Sequence, residues 1–100
     1  MPQPTIAFDT YVVDVLMADL TGHDHMTSAF LVYLYLWRAT RGPDALASVS
    51  YGGIAAATGL SRSAVFTSVR HLLRRRLIRR SRRSKTTVSE YVVNTPWRPR

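Results

Sequence analysis

Apolar side chains recur at helical spacing after Ser61. Val65, Val69, Leu72 and Leu73 share one face, while Arg62, Ser63, Phe66, Thr67, Arg70 and Arg74 fall mainly on the other. This predicts an amphipathic helix over 61–75 whose outward face is polar and cationic. Before it, a helix opening at Ser50 runs through Ile54 and Ala55 to Thr58 and ends at Gly59, whose missing Cβ permits a left-handed exit at low cost. Leu60 then supplies an apolar plug, and Ser61 can accept a hydrogen bond from an orphan amide of the following helix. The pattern is two helices joined by a tight turn.

The remaining elements follow from the same reading. Met1–Thr5, with Pro2 and Pro4, predicts an extended lead. Phe8–Leu20 reads as a short helix capped near Asp9; its β-branched content also permits a strand through Tyr11–Val15. Thr21 and, three residues on, Asp24 predict the start of a long helix reaching about Thr40, with Arg38 and Arg41 at its carboxyl end and Gly42-Pro43 as its stop. Its FLVYLYLW core is apolar on nearly all sides, which makes it the central buried helix or one side of a dimer seam. A short strand is expected around Ala47–Val49. Leu77–Ser81 and Ser89–Val93 have the length and bias of antiparallel strands with Ser84–Thr87 as their tip. Ile78, Tyr91 and Val93 are expected to face the helices, and Arg80, Arg82 and Val92 to face away. In the proline-broken tail, Trp97 either folds back or meets a partner, and the sequence does not choose. The fold class is mainly α with a small β-hairpin, as one domain over 6–94 between a lead (1–5) and a tail (95–100).

Charge changes this picture because it is so uneven. Residues 1–50 set Arg38 and Arg41 against five aspartates, a net of −3, whereas residues 51–100 set twelve basic groups against Glu90, a net of +11. Such clustering attracts a polyanion and is not needed for solubility, so the binding face belongs to the second half. Thirteen of the fourteen cations are arginine, which suits bidentate contact with phosphate or guanine, although a GC-rich coding bias gives the same preference. The hydrophobic fraction of 46% supports a modest core. No cysteine is present, which excludes disulfides and thiolate metal ligands. The longest apolar run, Ala29–Trp37, is nine residues, far below the roughly 20 needed to cross a bilayer. With no basic start and apolar block at the amino terminus, a cytoplasmic protein is expected, free of the membrane.

The string A-x-x-x-G-L-S-R-S-x-V followed by L-x-x-x-x-L-I resembles the winged helix-turn-helix family of prokaryotic DNA-binding domains, with Ala55, Gly59, Ser61 and Val65 in the expected places. The resemblance implies that the small residue lets the two helices cross closely, that the second helix (61–75) enters the major groove, and that the hairpin (77–93) is a wing. Two positions depart from the family pattern. Arg76 stands where glycine is usual, at a cost on the order of 1 kcal/mol if its φ is positive, and Gly52-Gly53 lacks the usual capping acid or amide. The segment from LTGHDH to Arg38-Ala39-Thr40-Arg41-Gly42 also resembles the amino-terminal part of winged-helix domains in phage and plasmid replication initiators.

Double-stranded DNA is therefore the expected partner, which implies a nucleoid location. A homodimer through the amino-terminal and long helices is left open. Arg70, Arg74, Arg79, Arg80, Arg82, Arg83 and Lys85 are candidates to neutralise phosphates, and Ser61, Arg62, Ser63, Phe66 and Thr67 to reach base edges. Arg62 suits guanine, and Phe66 or Thr67 a thymine methyl. Each also has a plain structural use: Ser61 as a cap, Phe66 in packing, the arginines as solvated charge. His23 and His25 flank Asp24 but point in different directions on a helix and lack further ligands, so no metal site is expected; His71, amid arginines, is read as a phosphate donor. No nucleophile with a base, glycine-rich phosphate loop or carboxylate pair is evident, so neither enzyme activity nor a cofactor is expected. A small transcription regulator is the leading function. The alternatives are a replication-initiation or plasmid-maintenance module, which such a short chain disfavours, and a winged helix used for protein contacts.

Overall fold

The computed structural model describes residues 3–81 and 89–99. Among them the chain forms helices around a small three-stranded antiparallel sheet: a helical stretch over 10–23, α1 (Thr27–Thr40), β1 (Leu46–Val49), α2 (Tyr51–Thr58), α3 (Arg62–Arg74), β2 (Ile78–Ser81) and β3 (Ser89–Val93). The expected wing tip, Ser84–Thr87, and Arg82 lie outside the described residues.

The first segment is helical, not a strand, and it is wound wide. Val12–Leu16 and Asp19–His23 are π-helical, with the Met17 N–H donating to Val12 O and the Asp24 N–H to Asp19 O. Val12, Leu16 and Leu20 are its buried residues, spaced four apart. At 3.6 residues per turn a four-residue repeat drifts about 40° with each step; five-residue hydrogen bonds unwind the helix enough to hold these side chains in one row.

The long helix begins six residues later than Thr21. Thr21 does not cap it, because its hydroxyl turns back to donate to Met17 O at 2.6 Å. His25 (φ 55°) breaks the backbone, and α1 starts after Met26 with no side-chain cap. Ala29, Phe30, Val32, Tyr33, Leu36 and Trp37 are buried, so α1 is the pillar of the core, with Leu31 left 39% exposed. At its end Arg41 sits at φ 59° in the left-handed region, where the Arg41 and Gly42 N–H groups donate to Arg38 O and Trp37 O. A residue other than glycine thus occupies the position that closes the helix.

The sheet order is β1-β3-β2, with Leu46 opposite Val92 and Ile78 opposite Val93. β1 therefore gives the hairpin a third strand. One expected side-chain direction is corrected, and one burial is greater than expected. Arg80 lies opposite Tyr91 and two residues from Ile78, so the pleat puts it on the inner face. Val92 does point outward, yet it is only 7% exposed, in register with Leu46 and Arg79.

Trp97 folds back. Its ring stacks on Tyr11 at 4.5 Å, its Nε1–H donates to Asp9 Oδ2 at 2.8 Å, and Arg98 pairs with the same carboxylate. The segments 7–9 and 94–98 are thereby fastened near α1, where the Tyr33 hydroxyl donates to Asn94 O and the Trp37 indole to Ala7 O. No helix among the described residues is long and apolar enough to cross a membrane.

Candidate nucleic-acid interface

Two side-chain caps set the helix pair at the centre of the site. Ser50 Oγ accepts from the Gly53 N–H and Ser61 Oγ from the Ala64 N–H, each at 3.0 Å, and Gly59 makes the turn between them at φ 78°. Val65, Val69 and Leu72 are fully buried and anchor α3. Ser68 joins that inner face, where its hydroxyl donates to Ser28 Oγ on α1 at 2.8 Å; the apolar pattern alone did not mark it. Arg62, Ser63, Phe66, Thr67, Arg70 and Arg74 are all exposed, as the helical spacing required.

That outer face is partly organised by its own contacts. Phe66, 45% exposed, meets Tyr51 edge to face at 5.8 Å, and the Arg70 guanidinium lies 5.5 Å from the Phe66 ring centroid. The Thr67 hydroxyl donates to Ser63 O at 3.0 Å, which leaves its methyl group as the freer end. Ser61 Oγ accepts in the cap, while its hydroxyl stays exposed. On the other edge of α3 an open groove of about 250 Å³ is lined by Met26, Phe66, Thr67, Arg70, His71 and Arg74.

The candidate phosphate ligands divide into three groups. Arg70, Arg74 and Arg79 are exposed, and Arg79 Nε donates to Asn94 Oδ1 at 2.9 Å. Arg80 is half-buried: its Nη1 donates to the Tyr51 hydroxyl at 3.1 Å and its guanidinium lies 6.0 Å from the Tyr91 ring centroid. Burial opposes the Arg80 charge, but Tyr51 and Tyr91 more than offset it and hold the group protonated. Through that one donor it braces β2 against α2. Arg82, Arg83 and Lys85 lie outside the described residues.

His71 faces a carboxylate. Its Nε2 lies 2.7 Å from Asp24 Oδ2, while His23 Nδ1 lies 2.8 Å from Asp24 Oδ1 and Arg75 Nε 3.4 Å from Oδ2. Arg75 also reaches Asp19 at 3.1 Å. The hydrogen bond from His23 is the main influence holding the Asp24 carboxyl below its usual range, with His71 and Arg75 helping and burial opposing. An acidic pair from the first helix thus occupies the carboxyl end of α3. The residues are 47 positions apart in the chain, and nothing local in the sequence announces the contact.

Among the described residues, carboxylates pair with Arg75 and Arg98, and none pairs with Arg62, Arg70, Arg74 or Arg79. No group of three or more histidines or carboxylates among them is placed to hold a metal ion. No protein-family model, curated protein or solved structure matches the chain.

Proposed function

We propose that this chain is a winged helix-turn-helix domain that binds double-stranded DNA sequence-specifically and works as a small transcription regulator. The observation that carries the reading is the outer face of α3, where exposed Arg70 and Arg74 follow a half-exposed Phe66 at successive turns and no described carboxylate neutralises them. In this reading α3 enters the major groove and α2 crosses the backbone. Arg70, Arg74 and Arg79 neutralise phosphates, with Arg82, Arg83 and Lys85 continuing the cationic run, and Ser63, Phe66 and Thr67 offer a hydroxyl and apolar groups to base edges. A homodimer through the first helix and α1, on which Val13 and Leu31 are exposed, would match an inverted repeat.

The test is selection of bound sequences from a random duplex library. The expected result is an enriched motif, with log affinity falling linearly against log salt at about 0.9 per neutralised phosphate. Binding at low salt with no enrichment would remove specificity from the proposal, and no binding would remove DNA. A palindrome over a promoter favours regulation, whereas direct repeats at an origin favour the replication role suggested by the 20–42 resemblance. The exposure of Phe66 also suits a protein contact, and binding to a protein without DNA affinity would favour that reading.

A further inference from the structure

Arg62 and Gly52 share one volume. A Cβ built on Gly52 would stand 2.7 Å from Arg62 Nη2 and 3.2 Å from Arg62 Cζ, so the guanidinium fills the space that a side chain at position 52 would need. Arg62 is the first residue of α3, whereas Gly52 lies in the first turn of α2. The side chain therefore runs sideways along α2 instead of straight out from α3. No described carboxylate holds it there, and the positive end of the α2 dipole disfavours a cation. The opening over Gly52 leaves room for this posture. The neighbouring Gly53 serves a different purpose, since a Cβ there would meet the capping Ser50 Oγ at 3.2 Å.

We propose that Gly52 diverts Arg62 from the base edges and makes it a ligand of the DNA backbone. The inference rests on the DNA-binding reading above. In a helix-turn-helix the second helix lies in the groove while the first crosses the backbone, so a guanidinium laid on the first turn of α2 stands where a phosphate passes. Its planar fork of donors matches two phosphodiester oxygens. A contact of this kind sets position and affinity without reading sequence. It replaces the guanine contact expected of Arg62 and leaves base reading to Ser63, Phe66 and Thr67.

The experiment compares the unaltered protein, Arg62→Ala, Gly52→Ala and the double variant on the selected duplex and on single-position variants of it, between ~50 and ~200 mM salt. Arg62→Ala is expected to weaken every duplex by the same factor and keep their rank order. It should also make the log–log salt slope shallower by about 0.9, which is about 3.5-fold less affinity lost over that range. Gly52→Ala, by expelling the guanidinium, should reproduce part of this loss and add nothing in the Arg62→Ala background. Thermal melts of all four proteins separate a folding defect from a binding one. A preference lost at one base pair with the slope intact would overturn the proposal, and so would losses that add in the double variant. If the unaltered protein bound no duplex, the DNA reading itself would fall before the variants were compared.

Discussion

At its amino-terminal end α3 presents Arg62, Phe66 and Arg70 to neighbours without charge, whereas at its carboxyl end His71 and Arg75 are held by Asp24 and Asp19. The chain spends part of its small acidic complement on the end that points toward the first helix, and Asp9 neutralises Arg98 in the tail. The large positive charge of the second half is therefore not a uniform cloud. Among the described residues it is quenched where α3 joins the body and left unquenched along the face of α3 and on β2, which concentrates the field where a polyanion would approach.

Removing the row that carries both ends should have the largest effect. Leu72 is fully buried, and Leu72→Ala is expected to cost about 2–5 kcal/mol through lost contacts and the cavity left behind. Phe66→Ala, at a site 45% exposed, should cost well under half of that while weakening duplex binding. Urea denaturation measures the first quantity and fluorescence anisotropy the second. Equal destabilisation by the two variants would make Phe66 a core residue and remove the distinction between the faces of α3.

A middle-sized effect separates the two ends. Asp24→Asn removes the carboxylate that joins His23, His71 and Arg75, for an expected loss of about 1–2 kcal/mol, modest because the amide keeps one acceptor oxygen for these partners. The pH dependence has a definite sign. A carboxyl whose folded pKa is depressed binds fewer protons folded than unfolded, so its stabilisation is present above the ordinary carboxylate range and is lost as pH falls through the folded value. The gap in urea midpoint between the parent protein and Asp24→Asn should be widest near neutrality and narrow below about pH 4. A gap unchanged down to pH 3 would show that the carboxylate has no stabilising role at that end of the helix.

The legible and illegible parts of the molecule divide by range. The bounds of α2 and α3 follow from Ser50, Gly59 and Ser61, because caps and turns act within a few residues, and the outward set on α3 follows from period alone. The widened first helix was not read from the pattern, although the four-residue spacing of Val12, Leu16 and Leu20 was its trace. Thr21 misled because a threonine hydroxyl can turn back to a carbonyl as readily as forward to an amide. Strict two-residue alternation from Ile78 would have placed Arg80 inside, a signal present but overridden by its charge. The Asp24–His71 contact and the shared volume of Gly52 and Arg62 depend on tertiary packing, which no local pattern carries.

The smallest expected effect concerns how α3 leaves its charged end. Arg76 sits at φ 58°, its N–H donates to Leu73 O at 3.1 Å and the next N–H, of Leu77, donates to Leu72 O at 3.0 Å. This left-handed closure is usually made by glycine, and its carbonyl side is tied in as well, since Asn94 Nδ2 donates to Arg76 O while Asn94 Oδ1 accepts from Arg79. A side chain in that conformation costs on the order of 1 kcal/mol. Comparing Arg76→Gly with the parent would mix backbone relief with loss of a cation. Arg76→Ala removes the same charge and keeps a Cβ, so the Gly and Ala variants differ in the backbone alone. Arg76→Gly is expected to be the more stable by up to about 1 kcal/mol, reduced by the greater freedom glycine gives the unfolded chain. A lower urea midpoint for Arg76→Gly than for Arg76→Ala would mean that α3 does not close through a left-handed residue in solution, and the link from its end through Asn94 to Arg79 would lose its geometric basis.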